Sequence, residues 1–494
     1  METFNVPLKD RGLLAAPLFI KTTKLTLSFI VFLVLWFLPS EVFGIEGLSV
    51  TEHRVISIFA FATFMWVLEA VPAWTTSLLI VVMLLLTVSD SSLWFFIQGI
   101  PADKLGQLVK YQSIMHCFAD PIIMLFIGGF ILAIAAIKSG LDTMLVRVLL
   151  KPFGTQSRYI QLGFILITGI FSMFLSNSAT TAMMLTLLIP ILKILPADDK
   201  GKIGIALAIP IAANIGGMGT PIGTPPNAIA LKFLNDPNGL NANIGFGDWM
   251  LLMVPYTFLL LFIAWFTLLR LFPFKQKHIQ LNLEGETKKD WQSIVIYITF
   301  AVTILLWMSD KLTGLNPNVV AMIPVAILSL TGIITQQDLA QINWSVLWMV
   351  AGGFALGVAL NETGLAQNAI SAIPFNSWSP LIIILGTGLI CYTMSNFISN
   401  TATVALLAPI LAVVGISMRE TLHSLGGVST LLIGLAISAS LAMVLPISTP
   451  PNAMAHATGI IKQKDMAKVG LIIGVVGFTL GYMMLIIMGS YLLP

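Results

Sequence analysis

Charged residues are scarce in this chain. Of its 494 residues only 10% are Asp, Glu, Lys or Arg, while 57% are hydrophobic and the mean hydropathy is +0.95. Soluble domains carry about a quarter charged residues, so a water-facing surface cannot be built from this stock. Soluble enzymes, nucleic-acid-binding proteins and disordered chains are excluded, and the net charge of +3 makes no case for a polyanionic partner. Cysteine is just as rare. Cys117 and Cys391 lie far apart in apolar surroundings, which fits neither a disulfide framework nor a metal cluster and reads as two small core residues. No small-residue cleavage site follows the first apolar run, so residues 25–39 read as a retained span rather than a signal peptide. What remains is a polytopic membrane protein.

A helix needs about 20 apolar residues to cross a bilayer. Complete candidates lie near 25–44, 55–68, 75–90, 120–138, 249–272, 292–308, 318–334, 344–360 and 469–491. Four more apolar stretches, 160–195, 203–234, 381–416 and 428–460, are interrupted by Ser, Asn, Thr, Gly and Pro. These runs are too long and continuous for a barrel, so the architecture is all-α. If 160–195 and 381–416 turn back as hairpins, only Arg54, Lys104, Lys110, Lys232, Lys311 and Arg419 of the 25 basic residues fall outside. The basic bias then places the N-terminus in the cytoplasm and the C-terminus outside.

The chain repeats itself. Ile127-Gly128-Gly129-Phe130 matches Ala351-Gly352-Gly353-Phe354 at an offset of 224, and Gly140-Leu141 matches Gly364-Leu365 at the same offset. Ser176-Asn177-Ser178-Ala179-Thr180 matches Ser399-Asn400-Thr401-Ala402-Thr403 at 223, and Thr224-Pro225-Pro226-Asn227-Ala228 matches Thr449-Pro450-Pro451-Asn452-Ala453 at 225. The basic residues Lys138, Arg147, Lys151 and Arg158 have no counterparts in 362–382. One segment is therefore cytoplasmic and the other is not, which makes the repeat inverted.

The polar motifs sit in the middle of apolar stretches. A broken helix survives in hydrocarbon only where it is buried or lines a cavity. Pro225, Pro226, Pro450 and Pro451 cannot donate backbone hydrogen bonds and leave carbonyls free. Free carbonyls with Ser, Thr and Asn oxygens make cation sites, and opposed helix N-termini suit carboxylates. Ser172 and Ser176 share one helical face, and Ser395 and Ser399 repeat the spacing. No charged side chain lies within the clusters, so a bound anion must be balanced by helix ends and cations, and a carboxylate proton relay is disfavoured. No HExxH, no paired intramembrane aspartates and no His beside these serines is present, so the chain is not read as an enzyme.

Taken together, the paired Ser-Asn-Ser/Thr and Thr-Pro-Pro-Asn motifs and their Gly-Gly-Phe neighbours resemble the divalent anion/sodium symporters. That family includes bacterial dicarboxylate carriers and mammalian sodium-dependent carboxylate and sulfate transporters. The similarity runs over roughly residues 50–490. It implies an inverted-repeat, elevator-type transporter with about 11 transmembrane helices and two re-entrant hairpins, working as a homodimer in a membrane; the compact chain without long loops points to a bacterial inner membrane. It implies scaffold helices at 25–158 and 292–380, and a transport domain from 159–272 and 381–494. A cytoplasmic segment, 1–24, and a cytoplasmic connector, 273–291, complete the scheme. The segments 139–158 and 363–380 become interfacial helices.

By the same resemblance, one sodium site uses Ser172, Ser176 and Asn177 with the carbonyl of Gly223. A second uses Ser395, Ile398 and Asn400 with the carbonyl of Ser448. One substrate carboxylate meets Asn177 and Ser178, the other Asn400 and Thr401, with Thr224, Pro225, Thr449 and Pro450 bordering the substrate. Ser178 departs from the family, many members of which have Thr there. The expected activity is sodium-coupled import of a C4-dicarboxylate such as succinate, malate or fumarate, with Na⁺ the co-transported ion. The alternative is a sodium-independent dicarboxylate or citrate/dicarboxylate exchanger.

Overall fold

The computed structural model describes residues 8–196, 198–237, 239–279, 290–372 and 378–492. Among them the chain is helical, with two isolated bridges and no strand. An α-helix satisfies its backbone groups within one segment, as hydrocarbon demands. The helices longer than six residues are numbered here in order. They are α1 Leu8–Phe37, α2 Val50–Leu68, α3 Ala73–Thr87, α4 Pro121–Ser139, α5 Leu141–Leu150, α6 Ser157–Phe174, α7 Asn177–Ile194, α8 Gly201–Gly217, α9 Pro225–Leu234 and α10 Phe246–Leu271. The second half continues with α11 Trp291–Met308, α12 Met322–Leu330, α13 Trp344–Glu362, α14 Leu365–Ala372, α15 Pro380–Ser395, α16 Asn400–Ser417, α17 Gly427–Ser440, α18 Pro450–Ala457 and α19 Gln463–Leu492.

Eight of the described helices are long and apolar enough to cross a membrane, or up to nine if a pair bent by 70° at Gly426 is one span. The first helix differs from expectation. It starts at Leu8 rather than near 25 and stops at Phe37, two residues before Pro39, which ends the ladder by lacking an N–H. The connector expected at 273–291 is described up to Ile279 and from Asp290, and residues 280–289 lie outside the described set, as do 373–377 of the expected segment 363–380.

The repeat is visible element by element. The series α4 to α10 and the series α13 to α19 each run as an apolar helix, a short amphipathic helix, a helical hairpin, a broken helix and a long helix. Local signals set the boundaries. Asp120 caps α4 by accepting from the Ile122 N–H, with Pro121 at the first helical position, and Gly140 ends it with φ 71°.

The chain divides into two compact units. One comprises Met1–Phe118 and Ser345–Phe375, the other Ala119–Trp344 and Asn376–Pro494. In the first unit α13 lies against α3 so closely that a Cβ on Gly352 would collide with Ser77, whose hydroxyl donates to the Met349 carbonyl at 3.3 Å. In the second unit Gly128 of α4 sits in the same way on the backbone of Ala321, just ahead of α12. Small residues at such contacts let membrane helices approach closely. The Gly-Gly-Phe helix of each series thus makes a close approach, at a glycine, to a segment outside the two series.

Candidate functional site

All the candidate binding residues belong to the second unit. The hairpin α6–α7 turns at Leu175 and Ser176, where Ser176 caps α7 by accepting from the Ala179 N–H at 3.3 Å. The hairpin α15–α16 turns at 396–399, and Asn400 opens α16. The broken helices separate at 218–224 and 441–449, where Thr224 and Thr449 precede α9 and α18, Thr449 alone accepting a capping bond from the Asn452 N–H, and prolines fill the first two positions. Proline fits there because the first helical N–H groups have no intrahelical partner.

The candidate residues of the first cation site converge. Ser172, fully buried, points its hydroxyl at Asn177 Oδ1 and at the Ala213 carbonyl, each at 2.7 Å. Asn177 abuts Gly217, and the Gly217 carbonyl in turn abuts Gly223, where any Cβ would strike it. Gly223 N–H donates to Thr220 Oγ1 at 3.1 Å. Ser176 does not share a helical face with Ser172, because α6 ends at Phe174 and Ser176 instead accepts the capping bond of α7, and Ser178 lies half-buried at the second position of α7.

The second site has the same plan with different satisfaction. Ser395 is fully buried at the end of α15, and neither its hydroxyl nor Asn400 Oδ1 finds a hydrogen-bond partner. Ile398 is buried beside them in sequence, its N–H bonded to the Met394 carbonyl at 3.0 Å. Ser448 Oγ donates to the Asn396 carbonyl at 2.9 Å and accepts from the Leu445 N–H at 3.1 Å, which fastens the break to the hairpin tip. Thr401 is buried, and Pro450 is exposed at the start of α18.

Several residues with structural duties here escaped the sequence reading. Asn227 donates to the Gly217 and Thr220 carbonyls at 2.9 and 2.8 Å, and Asn452 to the Met443 and Leu445 carbonyls at 2.8 and 3.1 Å. Each closes its own break by capturing carbonyls that proline and the unwound turn leave free. Their matched positions in the two Thr-Pro-Pro-Asn motifs were the available signal. Asn396 Oδ1 accepts from the Val444 N–H at 3.0 Å, and Asn214 bridges the two halves.

The halves interlock crosswise, α7 against α18 and α9 against α16. All four of these helices start at candidate binding residues. A helix N-terminus carries roughly half a positive charge, so each of these starts favours a nearby anion without any Lys or Arg. Among the described residues no group of three His, Cys, Asp or Glu could hold a metal ion. The oxygens gathered here are neutral carbonyls, hydroxyls and amides, the donor set that broken membrane helices present to Na⁺. A separate cavity of about 520 Å³, bordered by Asn235, Gly245, Asp310 and Asn316, contains none of the candidate residues.

The profile of the sodium:sulfate symporter transmembrane region matches residues 20–493. The chain belongs to the divalent anion/sodium symporter family. It is therefore an integral membrane transporter and not an enzyme. The sodium-dependent dicarboxylate transporter SdcS of Staphylococcus saprophyticus is 29% identical over 473 residues, covering 88% of this chain and 86% of its own. An uncharacterized transporter of Haemophilus influenzae is 31% identical over 497 residues, covering 94% and 98%. Among solved structures, the YdaH transporter of Alcanivorax borkumensis superposes with a TM-score of 0.55 at 12% identity, over 78% of this chain and 89% of that one. That likeness concerns the fold alone.

Proposed function

We propose that this protein imports C4-dicarboxylates such as succinate, malate or fumarate, driven by sodium. The observation that carries the reading is the pair of buried, unpartnered oxygens, Ser395 Oγ and Asn400 Oδ1, at a hairpin tip without charged side chains. A buried oxygen without a partner is costly, and a cation there would satisfy both. The sodium-dependent dicarboxylate transporters among the relatives support the same coupling and substrate class.

In this reading Ser172, Ser176, Asn177 and the Gly223 carbonyl take one Na⁺, and Ser395, Ile398, Asn400 and the Ser448 carbonyl take another. Asn177 and Ser178 receive one carboxylate, and Asn400 and Thr401 the other. Sodium binds first and orders the tips; its higher affinity for the substrate-competent state is the physical content of coupling. With more than one Na⁺ per dianion, transport is electrogenic. The hairpins are re-entrant from opposite sides, and the segments 159–272 and 381–494 move as one body past a scaffold in a homodimer, with the N-terminus cytoplasmic.

The test is uptake of labelled succinate into otherwise empty proteoliposomes under an inward Na⁺ gradient or an equal K⁺ gradient. Uptake with Na⁺ only is expected. Uptake that ignores Na⁺ and requires dicarboxylate inside the vesicles would instead identify an exchanger.

A further inference from the structure

The two breaks follow one plan but differ in how their polar groups are satisfied, and Thr449 accepts a capping bond from the Asn452 N–H that Thr224 lacks. Asn227 and Asn452 each commit their NH₂ group to two carbonyls of their own break, but their oxygens differ. Asn452 Oδ1 accepts from Asn214 Nδ2 at 3.2 Å, whereas Asn227 Oδ1 is buried without a partner. At the 225-residue offset of these motifs, the counterpart of Asn214 is Ala439, which has nothing to donate.

Asn214 Nδ2 also donates to Thr449 Oγ1 at 3.1 Å. The side chain is 2% exposed and thus joins α8 of the first repeat to the cap of α18 in the second. On its other side it follows Ala213, whose carbonyl accepts from Ser172. The Ser172 hydroxyl has one proton and two acceptors at equal distance, the Ala213 carbonyl and Asn177 Oδ1. A cation drawing on Ser172 Oγ and Asn177 Oδ1 uses oxygen lone pairs and leaves that proton committed to Ala213.

We propose that Asn214 is a positioning residue that couples the two cation sites. Occupation of the first site fixes the Ser172–Ala213 bond. That bond sets the peptide from which Asn214 reaches the Thr449–Asn452 turn, and this turn holds the second break. Asn214 touches neither cation nor substrate, and its role rests on the sodium-coupled reading above. Coupling of this kind is reciprocal and typically amounts to 5- to 150-fold in affinity.

The experiment measures labelled succinate uptake against sodium concentration in proteoliposomes of the full chain, for the wild type, Asn214→Ala and Ala439→Asn. The wild type is expected to respond cooperatively. Asn214→Ala should raise half-saturating sodium roughly tenfold and bring the Hill coefficient towards one, with uptake recovered at high sodium. Ala439→Asn, which puts an amide donor at the matched position of the other repeat, should shift half-saturating sodium the other way. An unchanged sodium curve in Asn214→Ala would overturn the proposal, as would a lower rate at every sodium concentration with the Hill coefficient kept. Asn214→Ser, which shortens the side chain and leaves less of a void, is read by the same criteria if the alanine variant does not fold. Sodium-independent uptake by the wild type would overturn the sodium reading and the coupling together, and that outcome is visible before any variant is compared.

Discussion

Ser172 Oγ and Asn177 Oδ1 lie 2.7 Å apart across the turn of a hairpin, and the same hydroxyl reaches the Ala213 carbonyl. Ser172→Ala should therefore strip one donor from the buried Ala213 carbonyl and the partly buried Asn177 amide oxygen, a loss of about 1–3 kcal/mol. The expected result is a lower melting temperature in detergent and a higher half-saturating sodium concentration. Asn177→Ala and Asn400→Ala should abolish succinate uptake while the protein still folds; normal uptake by either would sink the site assignment.

Gly216 of α8 lies against the backbone of Gly169 in α6, so a methyl group there meets carbonyl and Cα atoms that cannot swing aside. Gly216→Ala should destabilise the protein by about 1–3 kcal/mol, the usual cost of overpacking. Gly129→Ala is the control, because its methyl would rest at 3.6 Å from a flexible Ile222 side-chain atom. Equal melting temperatures for the two variants would contradict this packing.

Asn227 holds two carbonyls of the first break with one amide. Asn227→Leu keeps similar bulk but leaves both carbonyls buried without that donor, at about 1–3 kcal/mol each. Transport should be lost, and sodium should no longer raise the melting temperature. Retention of sodium-dependent stabilisation would show that the break holds its shape unaided.

Lys138 Nζ donates to Asp338 Oδ2 at 2.7 Å, and Thr335 donates to the same carboxylate from its N–H and hydroxyl. The lysine contact, followed by the threonine bonds, holds the Asp338 carboxyl below the usual carboxylate range despite burial. A depressed native pKa gives stability that is present above the unfolded value near 4 and disappears as pH falls through the native one. Lys138 is 45% exposed, so solvent screens the pair and Asp338→Asn should lose no more than about 1 kcal/mol at pH 7. The gap between the wild-type and variant melting temperatures should close below about pH 4.

Much of this architecture was legible in the residues. The apolar runs placed the long helices, and the paired prolines Pro225-Pro226 and Pro450-Pro451 placed the breaks, because two successive residues without an N–H fit only the first positions of a new helix; the single prolines Pro190, Pro210, Pro255 and Pro409 sit inside helices. The 223- to 225-residue offsets marked the same elements twice. What sequence could not supply was the partner across each contact. Gly128 and Gly352 were visible as a repeat, yet nothing in either motif names Ala321 or Ser77. Asn214 was hidden more deeply, since it sits inside an apolar run and its counterpart in the repeat is an alanine.

The crosswise pairing of α7 with α18 and α9 with α16 bears on how the protein is made. Asn214 is synthesised 238 residues before Asn452, its acceptor. When the first half has entered the membrane, its broken helix already contains unwound backbone but lacks the helices that will enclose it. Polar backbone left facing lipid is costly, and contacts between distant parts of a chain form late. The half-made protein therefore carries an open wound at mid-membrane until the ribosome delivers α16 and α18. A chain truncated before residue 400 should be a substrate for membrane quality control rather than a stable half-transporter.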